Sequence, residues 1–181
     1  MIGSVYKTPQ VHILGKISDA ENFEGTAVYA KYRFLTGDSW MLLSGSATGE
    51  TFISEVNKEL RAPLEHPFDL NYSAKTIRGW PRLFIEVWQV DSSKRESIAG
   101  YGVAAVPMKK GSGEIKIYCW RPATSFWDKL LGTYPELEFK DIVISSQNRY
   151  GFKTESTGTV TIQYELIFKD FHLHGVQVDS T

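Results

Sequence analysis

The chain has 181 residues, of which 42% are hydrophobic and 23% are charged, a composition typical of one globular domain with a core. Its 20 basic and 21 acidic residues leave a net charge of -1, which argues against nucleic acid as the main partner. The single cysteine, Cys119, excludes an internal disulfide framework and favours a reducing compartment. We find no signal-peptide pattern and no apolar run long enough to span a bilayer, so we expect a cytosolic protein.

The first part of the chain is predicted to contain short strands separated by polar turns. Runs of apolar, aromatic or β-branched residues predict strands at 10–17, 26–35, 40–44 and 51–56, and a short extended piece at 68–72. Residues 18–25 are predicted as a loop and residues 45–50 as a turn. Residues 57–66 contain Pro63, which cannot donate a backbone hydrogen bond, so we expect no regular element across it.

The stretch 79–107 gives the strongest strand signal and predicts a central hairpin. Alternation along 83–90 divides the side chains between two faces: Leu83, Ile85 and Val87 opposite Phe84, Glu86 and Trp88. A polar loop is predicted at 91–97 and a second strand at 98–106, closed by Pro107. Gly100 and Gly102 fit a dinucleotide-binding motif only in part, because a proline and a turn follow where that motif needs a helix. Glycines packed beside bulky neighbours are the better interpretation.

The last third of the chain adds more strands and one helix candidate. Strands are predicted at 114–120, 142–145 and 159–169. A short helix is predicted at 124–132, with Thr124 and Ser125 as candidate caps and Gly132 as the stop. Eight or nine short strands with one small helix predict an all-β sandwich.

No catalytic, cofactor or metal signature is present in the sequence. The four histidines are scattered, and a zinc site needs more ligands with supporting spacing. The carboxylates show no spacing that forces two together, so a glycosidase-type pair has no support. We therefore predict that the chain is not an enzyme.

The hairpin resembles that of the C2 domain, with a strand ending in V-W, a polar loop, and then I-x-G. That family is an eight-stranded sandwich which often docks on membranes through calcium held by loop aspartates. The matching positions in this sequence are Gln89, Asp91, Ser97 and the segment 27–29. Calcium needs several charged carboxylates, and Asp91 is the only carboxylate at these positions, so we predict no calcium site.

A closer resemblance is to the B9 domain family, a specialised branch of that superfamily. The sequence motifs that carry this resemblance are G-W-P-R-L-F-I-E-V-W (79–88), H-P-F-D-L-N-Y (66–72), I-A-G-Y-G (98–102) and W-R-P (120–122). The resemblance extends through V-H-I-L-G (11–15), G-D-S-W-M-L-L-S-G (37–45) and F-x-x-x-G-V (171–176). It implies one B9 domain over 10–178, with tails at 1–9 and 179–181. The implied fold is an all-β, C2-like antiparallel eight-stranded β-sandwich with one short helix.

The resemblance also implies a non-enzymatic, structural function. B9 proteins assemble in the B9/Meckel syndrome protein complex at the ciliary transition zone, where they support cilium assembly and the gating of ciliary protein entry. The implied partners are other B9 domain proteins, namely B9 domain-containing protein 1 and the Meckel syndrome type 1 protein, with other members of that complex. The implied location is the cytoplasm and cytoskeleton at the cilium base, at the basal body and transition zone. The alternative is a C2-type peripheral lipid-binding module; a carbohydrate-binding sandwich is disfavoured by the absent signal peptide and disulfides.

Four residues are interface candidates on this interpretation. Trp80, Pro81 and Arg82 lie at the entrance of a strand, where burial is least assured, although core packing also explains a tryptophan. The planar guanidinium of Arg121 could pair with a partner carboxylate, although a solvated arginine is the simpler explanation.

Two pairs of basic residues are candidates for contact with anionic lipid. Lys94 and Arg95 lie in one loop, and Lys109 and Lys110 lie in another. Each basic residue near such a surface contributes about 1 kcal/mol, so this contact would add to complex assembly rather than replace it. If the fold places the two loops at opposite ends, the four side chains form no single patch.

Overall fold

The computed structural model describes residues 8–123 and 153–174, and its regular structure in these ranges is almost entirely β-strand. The strands are β1 (Gln10–Glu21), β2 (Ala27–Leu35), β3 (Trp40–Gly45), β4 (Thr48–Glu50), β5 (Ser54–Glu55), β6 (Arg61–Ala74), β7 (Arg82–Val90), β8 (Glu96–Ala105), β9 (Gly111–Pro122) and β10 (Thr154–Lys169). A short 3-10 helix, Phe171–His174, follows β10.

All strand pairs in the described residues are antiparallel, in the order β3-β6-β1-β10-β9-β8-β7-β2-β4, with β5 beside β2. Eight strands have six or more residues, whereas β4 has three and β5 has two. The predicted all-β fold with eight main strands is confirmed.

The two halves of this long sheet fold back onto each other to make a sandwich. Phe68 of β6 contacts Phe34 and Tyr32 of β2, with ring centroids 5.3 and 6.3 Å apart, although the two strands are distant in the sheet order. Ile13, Leu70, Ile162, Ala30 and Ile85 are among the fully buried residues of this shared core. Burial of these side chains between the layers is the main stabilising contribution.

The central hairpin has the predicted alternation of faces. Leu83, Ile85 and Val87 belong to the core between the layers, whereas Phe84 is buried on the opposite face with Ile98 and Tyr101. A Cβ on Gly102 would collide with Ile117, which lies on the neighbouring β9. The interpretation of this glycine as one packed beside a bulky neighbour is therefore confirmed.

The structure differs from the predicted elements most clearly in three places. β6 begins at Arg61 and passes through Pro63, which lies opposite Asp19 of β1. Proline is tolerated because β3 pairs only with residues 70–74, which leaves the first part of β6 at a sheet edge. β1 extends to Glu21 with a bulge between Ile17 and Asp19.

The third error concerns residues 45–56. The predicted turn at 45–50 contains the short strand β4, and the predicted strand at 51–56 shrinks to Ser54–Glu55. The predicted helix at 124–132 and the predicted strand at 142–145 lie outside the described residues. The domain bounds 10–178 remain a prediction.

Candidate protein-interaction surface

The antiparallel register gathers the loops at two opposite ends of the sandwich. Arg82, the first residue of β7, lies opposite both Leu35, the last residue of β2, and Ala105, the last residue of β8. The loops that adjoin these positions define what we call the Trp80 end: 36–39, 75–81, 106–110 and 170–174. The loops at the other ends of these strands define the Asp91 end: 22–26, 56–60 and 91–95.

Trp80 is a half-buried member of an aromatic cluster that closes the Trp80 end. Its indole N–H donates to the carbonyl of Val106 over 2.8 Å. Its ring lies 5.1 Å from that of Trp40, 5.9 Å from Phe168 and 6.2 Å from Phe171. We call these four rings the aromatic cluster. They give Trp80 a structural role, and its predicted interface role stays a prediction.

Pro81 and Arg82 continue from this cluster into β7. Pro81 is buried, and its carbonyl accepts the backbone N–H of Val106 over 3.0 Å. Of the interface candidates Trp80, Pro81 and Arg82, only Arg82 has an exposed side chain. The turn before them depends on Gly79, whose φ of 69° favours glycine and whose carbonyl accepts the N–H of Gly37.

Arg121 is buried, so the expectation of a solvated arginine is wrong. Its side chain is 5% exposed, and its Nε donates to Glu155 over 2.6 Å while a terminal nitrogen donates to Glu24 over 3.1 Å. Burial opposes the charge and would lower the pKa of Arg121, but the two carboxylates outweigh it and the pKa is raised. Any contact of this arginine with a partner would have to include Glu24, whose side chain is 70% exposed.

The basic residues predicted to touch lipid do not form one patch. Lys94 and Arg95 lie in the loop before β8, whereas Lys109 and Lys110 lie in the loop after it, so the length of β8 separates the two pairs. All four are exposed. Lipid contact by either pair alone remains a prediction.

The residues at the calcium positions of C2 domains do not fit a calcium ion. Both carboxylate oxygens of Asp91 accept hydrogen bonds within its own loop, from the N–H groups of Ser93 and Arg95 and from the Arg95 guanidinium. Gln89 is neutral and donates to Ser97 over 3.3 Å. In the part of the chain that the structure describes, no group of three or more His, Cys, Asp or Glu residues could hold a metal ion.

Sequence reasoning missed an apolar surface along the segment 40–55. This segment closes the open side of the sandwich, because β3 pairs with β6 in one layer while β4 and β5 pair with β2 in the other. Five of its side chains are large, apolar and exposed: Met41 (61%), Leu42 (37%), Leu43 (44%), Phe52 (88%) and Ile53 (58%). We call these five residues the side ribbon.

Charge is nearly absent from the side ribbon and its surroundings in sequence. The segment 40–55 contains two charged residues, Glu50 and Glu55. This absence hid the surface from sequence reasoning, because an exposed strand at a sheet edge usually carries charges and an uncharged apolar strand looks buried.

Buried hydroxyl and thiol groups near the core are held in their neutral forms. Burial raises the pKa of Cys119 to about 12, which leaves its thiol unreactive. Burial also raises the pKa of Tyr72, which lies opposite Leu42 of the neighbouring β3, to about 12. Burial and a hydrogen bond to Glu96 raise the pKa of Tyr29. None of these groups is poised for acid–base chemistry near neutral pH.

The helical residues that the structure describes include no span long and apolar enough to cross a membrane. The long antiparallel sheet, folded into two layers around one core, defines the chain as an all-β sandwich domain. A family model, B9-C2, described as "Ciliary basal body-associated, B9 protein", matches residues 11–167. The chain belongs to this B9-C2 family, which confirms the resemblance seen in the sequence.

Individual relatives agree with this assignment. The chain is 35% identical to B9 domain-containing protein 2 of Bos taurus and 34% identical to that of Homo sapiens, in each case over 93% of this chain and 98% of the relative. It is 25% identical to B9 domain-containing protein 1 of Mus musculus, over 90% of this chain and 85% of the relative. Among solved structures it is similar to a C2 domain of plant Extended Synaptotagmin 1, with a TM-score of 0.44, 12% identity and coverage of 90% and 95%.

Proposed function

We propose that this chain is a non-enzymatic structural component of a B9 protein complex at the ciliary transition zone, where it supports cilium assembly and the gating of protein entry. Its partners are other B9 domain proteins, namely B9 domain-containing protein 1 and the Meckel syndrome type 1 protein. The family description as ciliary basal body-associated supports the location at the cilium base. The B9 names of its relatives support the choice of siblings as partners.

The observation that carries the proposal is the side ribbon. Five large apolar side chains exposed along one short segment are unusual in a soluble protein, in which extensive exposed apolar surface marks interaction sites. Phe52 is 88% exposed and Met41 is 61% exposed, so both side chains gain from removal from water when a partner covers them. Covering a side chain of this size contributes about 1.5–3 kcal/mol before the costs of association.

The backbone of β3 gives the ribbon a second means of binding. β3 is the first strand in the sheet order and pairs only with β6 among the described strands, so one row of its backbone groups has no strand beside it. No charged residue and no proline protects this edge. An edge strand of a sibling B9 sandwich could add to β3, with backbone hydrogen bonds supplying affinity and apolar side chains supplying specificity.

The test of this function is co-purification of the unmodified full chain with each of the two named siblings, in the presence of calcium and in the presence of a chelator. The proposal expects a stable complex with at least one sibling, unaffected by the chelator, because Asp91 is already satisfied by its own loop. Failure to bind either sibling contradicts it.

A calcium titration tests the alternative, a calcium-dependent lipid-binding module. An ion that binds only the folded chain raises the melting temperature by mass action. We expect no rise, because Gln89 and Ser97 offer no carboxylate beside Asp91. A rise that grows with calcium concentration would favour the alternative.

A further inference from the structure

Three loops at the Trp80 end each present one large apolar side chain to solvent. Ile77 lies in the loop before β7, Met108 in the loop before β9, and Leu173 in the 3-10 helix after β10. Their exposed fractions are 46%, 52% and 56%, respectively. Three elements distant in sequence thus place apolar tips at the same end of the sandwich.

The aromatic cluster holds each of these loops in place. Trp40 Nε1 donates to the carbonyl of Arg78, next to Ile77, over 2.9 Å. Trp80 Nε1 donates to the carbonyl of Val106, two residues before Met108, and its ring packs on Phe171, two residues before Leu173. The tips therefore stand on a rigid base, and little conformational entropy is lost when they bind.

The loops of the Trp80 end carry more cations than carboxylates. The loops of the Trp80 end carry four cationic side chains against two carboxylates: Lys75, Arg78, Lys109 and Lys110 against Asp38 and Asp170. The loops of the Asp91 end carry three of each sign: Lys58, Lys94 and Arg95 against Glu24, Glu59 and Asp91. In these loops, excess positive charge is thus confined to the end that also presents the apolar tips.

We propose that the Trp80 end is a membrane-contacting surface, in which Ile77, Met108 and Leu173 insert into the interfacial region of an anionic bilayer while the lysines bind lipid headgroups. Asp91, which stands at a calcium position of C2 domains, lies at the opposite end of the sandwich. The proposed contact therefore requires no calcium. Lysines near an anionic surface and apolar side chains at its boundary contribute together.

The chemistry of this end favours a bilayer over a protein partner. Protein interfaces are depleted in lysine at their centres and are built around exposed aromatic anchors. Here Lys109 and Lys110 directly follow Met108, and Trp80 is bound within the aromatic cluster rather than presented. The side ribbon has the reverse composition, since it is apolar and almost without charge, and from Met41, next to Trp40, it runs away from this end along the side of the sandwich. One copy could therefore bind a membrane and a sibling at once.

Flotation of the full chain with vesicles tests this surface. The vesicles contain equal parts phosphatidylcholine and phosphatidylserine, with pure phosphatidylcholine vesicles as the comparison, and the buffer contains a calcium chelator. We expect flotation with the anionic vesicles that weakens as salt is added. Lys109→Glu combined with Lys110→Glu should lower vesicle affinity at least about tenfold. Changing Ile77, Met108 and Leu173 together to Gln should lower it by at least about tenfold as well.

Two matched controls make the test specific. Lys58→Glu combined with Lys94→Glu makes the same change of charge at the Asp91 end, and we expect it to alter vesicle affinity less than about twofold because those charges are distant and screened. Phe52→Ser removes an exposed apolar side chain of the side ribbon and should leave flotation unchanged. All altered side chains are exposed, and unfolding curves confirm that each variant is folded.

The proposal is overturned if the chain does not float with anionic vesicles, or if the control at the Asp91 end weakens flotation as much as the lysine variant does. Sibling binding is measured separately, in the absence of lipid. A failure of the membrane surface is thus distinguishable from a failure of the proposed function.

Discussion

Arg121 Nε donates to Glu155 Oε1 over 2.6 Å, and this ion pair joins β9 to β10 where their ends approach the Asp91 end of the sandwich. The Arg121 side chain is 5% exposed and that of Glu155 is 26% exposed, so water screens the pair incompletely. Removing one partner of a buried pair leaves an uncompensated charge, which costs more than the pair itself contributes.

We therefore expect Arg121→Met to lower the free energy of unfolding by about 3 kcal/mol. Combining it with Glu155→Gln should cost less than the sum of the two single changes, because the double variant buries no uncompensated charge. Urea unfolding measures both effects, with Arg33→Met at an exposed site as the control. A loss for Arg121→Met no larger than for this control would contradict the account of the pair.

Trp80 tests whether the aromatic cluster is structural. Trp80→Ala should lower the free energy of unfolding by about 3 kcal/mol because it opens a cavity beside Trp40 and Phe168. Trp80→Phe keeps a ring but loses the hydrogen bond to Val106, which should cost about 1 kcal/mol.

Thermal and urea unfolding distinguish these variants, and Tyr118→Ala, at a side chain 75% exposed, is the matched aromatic control. No destabilisation by Trp80→Ala would refute the structural role. Because Trp80→Phe should stay folded, it is the proper variant with which to test the predicted interface role of this residue.

Asp91 should make stability depend on pH in the acidic range. The backbone N–H of Arg95 contributes most to holding the pKa of Asp91 below its usual value, with further contributions from the Arg95 guanidinium and the N–H of Ser93. A pKa that is lower in the folded state gives a stabilisation that is present above the usual carboxyl pKa and is lost as the pH falls through the lowered value.

Asp91→Ala should therefore be less stable than the unmodified chain at neutral pH, and the difference should shrink on acidification. Asp91→Asn keeps an acceptor for the two backbone N–H groups, so its stability at neutral pH should lie between those of Asp91→Ala and the unmodified chain. Urea midpoints measured across the pH range supply the test. A difference that does not change with pH would contradict the assignment.

The alternation of side chains could be predicted from the sequence because it is a local property of a strand. Leu83, Ile85 and Val87 point into the core because a strand repeats every two residues, whatever its position in the sheet. The B9 resemblance likewise rests on short sequence motifs and on their order along the chain. The same local information says nothing about which strand lies at an edge.

Exposure of the side ribbon could not be predicted in this way. The letters W-M-L-L at 40–43 are equally compatible with a buried strand, and only the pairing of β3 with β6 shows that it is an edge. The burial of Arg121 has a similar explanation, since its partners Glu155 and Glu24 lie 34 and 97 residues away in sequence. Non-local pairing decides both features.

The most direct test of the central claim is the affinity of the side ribbon for a sibling B9 protein. Isothermal titration of B9 domain-containing protein 1 into the unmodified chain, into Phe52→Ser and into Tyr118→Ser compares two exposed aromatic positions, 88% and 75% exposed. We predict that Phe52→Ser weakens binding at least about tenfold, because it removes an anchor from the covered surface. Tyr118→Ser should bind like the unmodified chain. Equal affinities for all three chains would contradict the claim that the side ribbon is the surface through which this protein assembles.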